Sequence, residues 1–159
     1  MTQATELSSL AVDTCILLEV TDAARIHHLA AREVLELHSL LVLPSQVIRE
    51  YLVVATRPVP NNGLGLSLSA ARANVQAFLA NMRLLPEEQP VLPAFFGLLD
   101  HAPCVGKRIH DAHLAATAMA HGVVEILTLN GRDFSAFAPH VRVITPVEVL
   151  AIISSMKTI

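Results

Sequence analysis

Apolar positions along this chain fall into two rhythms. Leu40 to Leu43 is a continuous apolar run, read as a strand covered on both faces, Ser8 to Val12 reads as a short buried strand, and the stretch VEILTL after Gly122 and Val141 to Ile144 read as further short strands. Leu84-Leu85-Pro86 reads as an edge strand. Between them lie segments of helical spacing. Thr14 and Cys15 lead into ILLEV. A second helix is expected over Asp22 to His38, with Ile26, Leu29, Ala30, Val34 and Leu37 as its apolar stripe. A third spans Ser45 to Thr56, with Pro44 at its first helical position and Arg57-Pro58 ending it. The irregular loop VPNNGLGLS follows. Ser67 or Ser69 then caps a helix to Met82, and others are expected over Pro90 to His101 and Pro146 to Ser155, with a short turn or helix over Phe134 to Ala138.

One helix departs from the amphipathic pattern. Ala112 to Ala120 is small and apolar on nearly every side, so most of it is expected to be buried. Gly122 supplies its C-terminal stop. Yet Asp111 stands at its mouth, and Asn130, Arg132 and Asp133 follow the next strand. Strands alternating with helices imply a parallel sheet between helical layers, in which ligands gather at the C-terminal strand edge.

Composition narrows the classes. A length of 159 residues suits one domain, with a core over about 7–150 and a tail over about 151–159. The chain is 53% hydrophobic and 16% charged, enough for a packed core and too apolar for disorder. No run of about 18 apolar residues occurs, so no membrane span is expected. MTQATELSSL lacks a basic start and apolar block, so a cytoplasmic protein is expected. Cys15 and Cys104 read as free thiols, and no paired C-x-x-C suggests zinc. A net charge of −3 argues against a broad nucleic-acid-coating surface but leaves room for a metal-using nuclease with a few local cations. The apolar excess points to an interface with another chain or a second copy.

The acids carry the candidate chemistry. Read singly, Asp13 is a helix N-cap, Glu50 an edge-of-core glutamate, Asp111 a first-turn carboxylate, and Asn130 and Asp133 turn formers. Read together, Asp13 and Asn130 both end strands at one sheet edge, and Asp111 opens the helix leading to the second of these strands. Buried carboxylates gathered together repel one another unless divalent cations neutralise them. Oxygen ligands suit Mg²⁺ or Mn²⁺, which also bind substrate phosphates.

VDTCILL, PSQVIREYLVVATRP and IHDAHLAATAMAHGVVEILTLNGRDF, in this order, resemble the PIN-domain family, and within it the VapC toxins of bacterial toxin–antitoxin pairs. The likeness runs from about Leu10 to Val149. It implies an α/β three-layer sandwich with a central, mainly parallel sheet. It also implies a Mg²⁺- or Mn²⁺-dependent endoribonuclease whose metal-binding acids are Asp13, Glu50 and Asp111. The family's fourth acidic position falls on Asn130, which brings no charge; Asp133 either compensates or is structural. Arg49, Lys107, Arg108 and Arg132 are candidates for placing the RNA backbone. A small VapB-like antitoxin that blocks the site, a toxin homodimer and a toxin–antitoxin hetero-oligomer are further implications.

Other classes fit less well. His110, His113, Thr117 and His121 share one stripe of the Asp111 helix, more simply its solvent or partner side than a zinc site. Cys15 lacks a base for a nucleophile role. A haloacid-dehalogenase-type phosphatase would need an aspartate where Cys15 stands. The remaining alternative is a PIN-like module that binds RNA or a protein without cutting.

Overall fold

The computed structural model describes residues 7–158. Residues 1–6, most of the segment inspected for a leader, and Ile159 lie outside the described residues.

Among the described residues, five parallel strands form one sheet: β1 (Leu10–Val12), β2 (Leu41–Pro44), β3 (Arg83–Leu85), β4 (Glu125–Leu127) and β5 (Arg142–Ile144). Their order is β3-β2-β1-β4-β5. β1 pairs with β2 through Leu10↔Leu41 and with β4 through Ala11↔Ile126. Successive strand residues point to opposite faces, so burial of every residue of β1 and β2 means both faces are covered. The edge strands β3 and β5 carry exposed residues.

Among the described residues, eight α-helices supply that cover: α1 (Thr14–Thr21), α2 (His28–Leu37), α3 (Ser45–Thr56), α4 (Leu68–Asn81), α5 (Val91–His101), α6 (Arg108–Ala120), α7 (Gly131–Phe134) and α8 (Pro146–Met156). The result is a sandwich with a wholly parallel centre. Asp13 caps α1, Ser67 caps α4, and Thr145 with Glu148 forms a capping box on α8. α6 packs against α5 and touches β2 and β4. Its Ala112, Leu114, Ala115, Ala116, Thr117 and Ala118 are all buried, as its small apolar letters require. Gly122 (φ 72°) ends it in the left-handed region, and the Gly122 and Val123 amides donate to Met119 and Ala118.

Three expectations are corrected. α2 begins at His28, not Asp22, because Glu19 ties down the preceding loop by accepting from the His27 amide and Arg25. Its buried positions are Ala31 and Val34, while Ile26 and Leu29 are 93% and 79% exposed. Pro44 ends β2 with ψ 138°, so the helix starts one residue later, at Ser45. The histidine stripe of α6 is mostly an inward face. Thr117 is buried, His113 meets Gln46 and the edge of Phe95, and His121 meets the Pro86 carbonyl; of the stripe only His110 is exposed.

Candidate active site

The strand order places β1 beside β2 on one flank and β4 on the other, so the chain changes direction of travel across the sheet next to β1. Connections leaving such neighbouring strands in opposite senses open a crevice at their C-terminal ends. An open cleft of about 370 Å³ lies there, lined by Asp13, Glu50, Asp111, Asn130 and Asp133, with Thr14, Cys15, Lys107 and His110 among its other walls. All five residues singled out as acids or acid replacements thus share one cleft. Of the candidate cations, only Lys107 lines it.

Asp13 follows β1 directly and is held on every side. Its Oδ1 accepts from the Thr14 amide at 2.7 Å, and its Oδ2 accepts from the Thr128 hydroxyl at 2.7 Å and the Cys15 thiol at 3.5 Å. Burial raises its pKa above the ordinary value; the bonds from Thr128, Thr14 and Cys15 pull the other way, and the charge of Glu50 adds to the rise. The same pocket pushes the Cys15 thiol up to about 12, through burial first and the charge of Asp13 second. Cys15 and Cys104 are both free thiols.

Glu50 is clamped from two elements. Thr14 donates its hydroxyl to Oε2 at 2.7 Å, and Gln46 donates its amide to Oε1 at 2.5 Å. The Gln46 amide nitrogen also donates to the His110 carbonyl at 2.9 Å. With both its acceptors on that side, Gln46 turns its oxygen to His113 Nδ1, 2.5 Å away, so Nδ1 must carry a proton. His110 Nδ1 lies 3.7 Å from Glu50 Oε1.

Asp111 sits in the first turn of α6, where the helix dipole favours a carboxylate. Burial nevertheless pushes its pKa up to about 6, followed by the charges of Asp133, Asp13 and Glu50, while Arg108 pulls it down. Asn130 precedes α7 without capping it through its side chain; its backbone N–H donates to Thr128 Oγ1 at 3.0 Å. Asp133, in the first turn of α7, is exposed. Arg49 pairs with Glu87 at 2.7 Å, and Arg108 and Arg132 do not line the cleft.

Sequence reasoning missed Gln46 and Thr128. Gln46 stands one helical turn before Glu50, the spacing at which two side chains meet. Thr128 ends the strand opposite Asp13, a pairing only the fold reveals.

The donor chemistry around the cleft is chiefly hard oxygen, which suits Mg²⁺ or Mn²⁺ better than zinc. Among the described residues, no three His, Cys, Asp or Glu groups come close enough to hold one ion together. The carboxylates border the cleft rather than closing on a point, and such spacing fits a cation that keeps part of its water shell.

Comparison with known proteins places the fold. A toxin–antitoxin complex from Klebsiella pneumoniae shares the fold at 22% identity and TM-score 0.62, over 87% of this chain and 98% of that one. A DNA-bound VapBC from Salmonella typhimurium does so at 19% identity and TM-score 0.65, over 88% and 99%. A sarcin–ricin loop cleaving VapC toxin from Mycobacterium tuberculosis does so at 19% identity and TM-score 0.64, over 84% and 99%. No curated protein matches the sequence significantly. The PIN-domain family model matches residues 10–138, which carry all five strands but β5 and every residue of the acid cleft, and the chain therefore belongs to the PIN-domain family.

Proposed function

We propose that this protein is a Mg²⁺- or Mn²⁺-dependent endoribonuclease and the toxin of a VapC-type toxin–antitoxin pair, folded as a single PIN-like domain. The observation that carries this reading is the gathering of Asp13, Glu50, Asp111 and Asp133 around one cleft, where burial and the charges of the other three raise the pKa of Asp111. A resident divalent ion would supply charge neutralisation and an activated water. Asp13 and Asp111 are assigned to hold it, and Glu50, clamped by Thr14 and Gln46, to hold it or orient the attacking water. Thr128 keeps the Asp13 carboxylate turned into place. Asn130 contributes a neutral oxygen, and Asp133 the charge that Asn130 lacks. Lys107 meets the RNA backbone at the rim.

The family likeness extends the proposal to a small VapB-like antitoxin that covers the site, a toxin homodimer, their hetero-oligomer and a cytoplasmic setting. The apolar side chains left exposed, Ile26, Leu29 and Val105 foremost, are surface that a partner would cover. Among the described residues, no helix is long and apolar enough to cross a membrane.

The competing reading, a PIN-like module that binds RNA or a protein without cutting, draws on Asn130. Metal-linked stability tests the site. Mn²⁺ should raise the melting temperature of the antitoxin-free protein, and Asp111→Asn should lose most of that rise. Absence of any rise in the wild type would favour the non-cleaving module.

A further inference from the structure

Beside the acid cleft lies a larger groove of about 560 Å³. The two share Thr14, Glu50, Val54, Lys107 and His110, so they adjoin as parts of one trough. Their walls differ in kind. The acid cleft is bordered by four carboxylates, whereas Glu50 is the only carboxylate lining the groove. The α3 wall offers Val53, 56% exposed, and Val54; Arg57 stands at its end, with Lys107 opposite at the start of α6. Arg57 and Lys107 have no carboxylate partner among the described residues, while Arg49 is engaged with Glu87.

The position of Arg57 is built in. The loop after α3 folds back on the helix end: Leu64 donates to the Val54 carbonyl, Leu66 to Ala55 and Gly65 to Arg57. Gly63 makes this close approach possible, since a Cβ there would lie 1.9 Å from the Arg57 carbonyl oxygen. The chain thus devotes a shaped loop to fixing the end of this wall.

An apolar patch flanked by free cations, next to a phosphodiester-cutting cleft, matches the alternation of base and phosphate in a single strand. A duplex would keep its bases stacked away from the valines. We propose that the groove seats the nucleotide adjoining the scissile phosphate, its base against Val53 and Val54 and its phosphates held by Arg57 and Lys107. This inference rests on the ribonuclease reading of the acid cleft. Among the residues lining the groove the one aromatic ring is the His110 imidazole, stacking on such a ring is sequence-tolerant, and Gln46 is committed to its own network, so the subsite binds a nucleotide with little base preference.

The test uses the full chain and a short labelled single-stranded RNA of mixed sequence, with binding read by anisotropy in EDTA and cleavage read with Mn²⁺. Arg57→Glu and Val53→Asp alter exposed side chains, and unchanged melting temperatures verify folding. Each should weaken RNA binding and raise KM about tenfold with kcat largely kept, while Val147→Asp, on exposed surface of α8, should change neither. Wild-type cleavage with unchanged KM in both groove variants overturns the subsite but not the nuclease. Wild-type binding without cleavage, lost in the groove variants, upholds the subsite and overturns the nuclease. Variants that lose only a protein partner show that the groove holds polypeptide, and a wild type that neither binds nor cuts RNA overturns both proposals.

Discussion

Asp111 ties the site's chemistry to the stability of the chain. Its folded pKa of about 6 exceeds the ordinary 3.8, so between those values the folded chain keeps a proton that the unfolded chain releases. Its contribution to stability is full below that window and falls as pH rises through it. Asp13, shifted the same way, adds to the fall. We expect the melting temperature of metal-free protein to decline from about pH 4 to about pH 7, and Asp111→Asn to flatten part of that decline. Mn²⁺ should stabilise the protein well above pH 6 and little below it, since a protonated carboxyl is a poor ligand. Gln46 is the second residue to probe. Gln46→Ala removes one donor from Glu50 and strands the His110 carbonyl and His113 Nδ1, so it should lower stability by about 1–3 kcal/mol in urea unfolding. Gln46→Glu, which sets a second carboxylate beside Glu50, should be worse. Asp13, Glu50 and Asp111 stood out in the sequence because carboxylates interrupt apolar runs. Gln46 and Thr128 did not, because a neutral polar residue acquires meaning only from the partner that the fold brings to it.

Among the elements, α3 was the most legible. Its apolar period and the Arg57-Pro58 stop give its extent from sequence, apart from Pro44, which the fold assigns to β2. α2 was not. Of the apolar stripe Ile26, Leu29, Ala30, Val34 and Leu37 only Val34 is buried, and Ala31 joins it on the buried face. Periodicity finds a stripe, but which stripe turns inward depends on α1 and α8, which pack against this helix. The α6 histidines misled for a related reason: polar letters suggested solvent, while Gln46 and Pro86 supplied internal partners. The loop after α3 read as irregular, although its amides satisfy the last carbonyls of that helix. Gly63→Ala should therefore cost about 1–3 kcal/mol, a penalty usual for overpacking, and weaken RNA binding through displacement of Arg57. Urea unfolding and the anisotropy assay together check this. Loss of stability without loss of binding would separate the loop from the groove.

For the whole molecule, charge and route belong together. A chain of net charge −3 cannot attract RNA over its entire surface. Under the proposed reading the strand enters along the trough where Arg57 and Lys107, without a carboxylate partner among the described residues, stand beside the acids. Affinity for single strands should then fall with log salt at a slope of only about −1.4, the value for two neutralised phosphates, and Lys107→Ala should halve it. A much steeper slope would mean a wider basic surface than this fold presents. The central claim, that the acid cleft cuts RNA with a divalent ion, is met most directly by digesting RNA with purified, antitoxin-free protein and mapping the cuts. Cleavage should require Mg²⁺ or Mn²⁺, stop on addition of EDTA, and disappear in Asp13→Ala and Asp111→Ala proteins that remain folded. Cleavage that persists in either variant, or a wild type that leaves RNA intact with both metals, would contradict it.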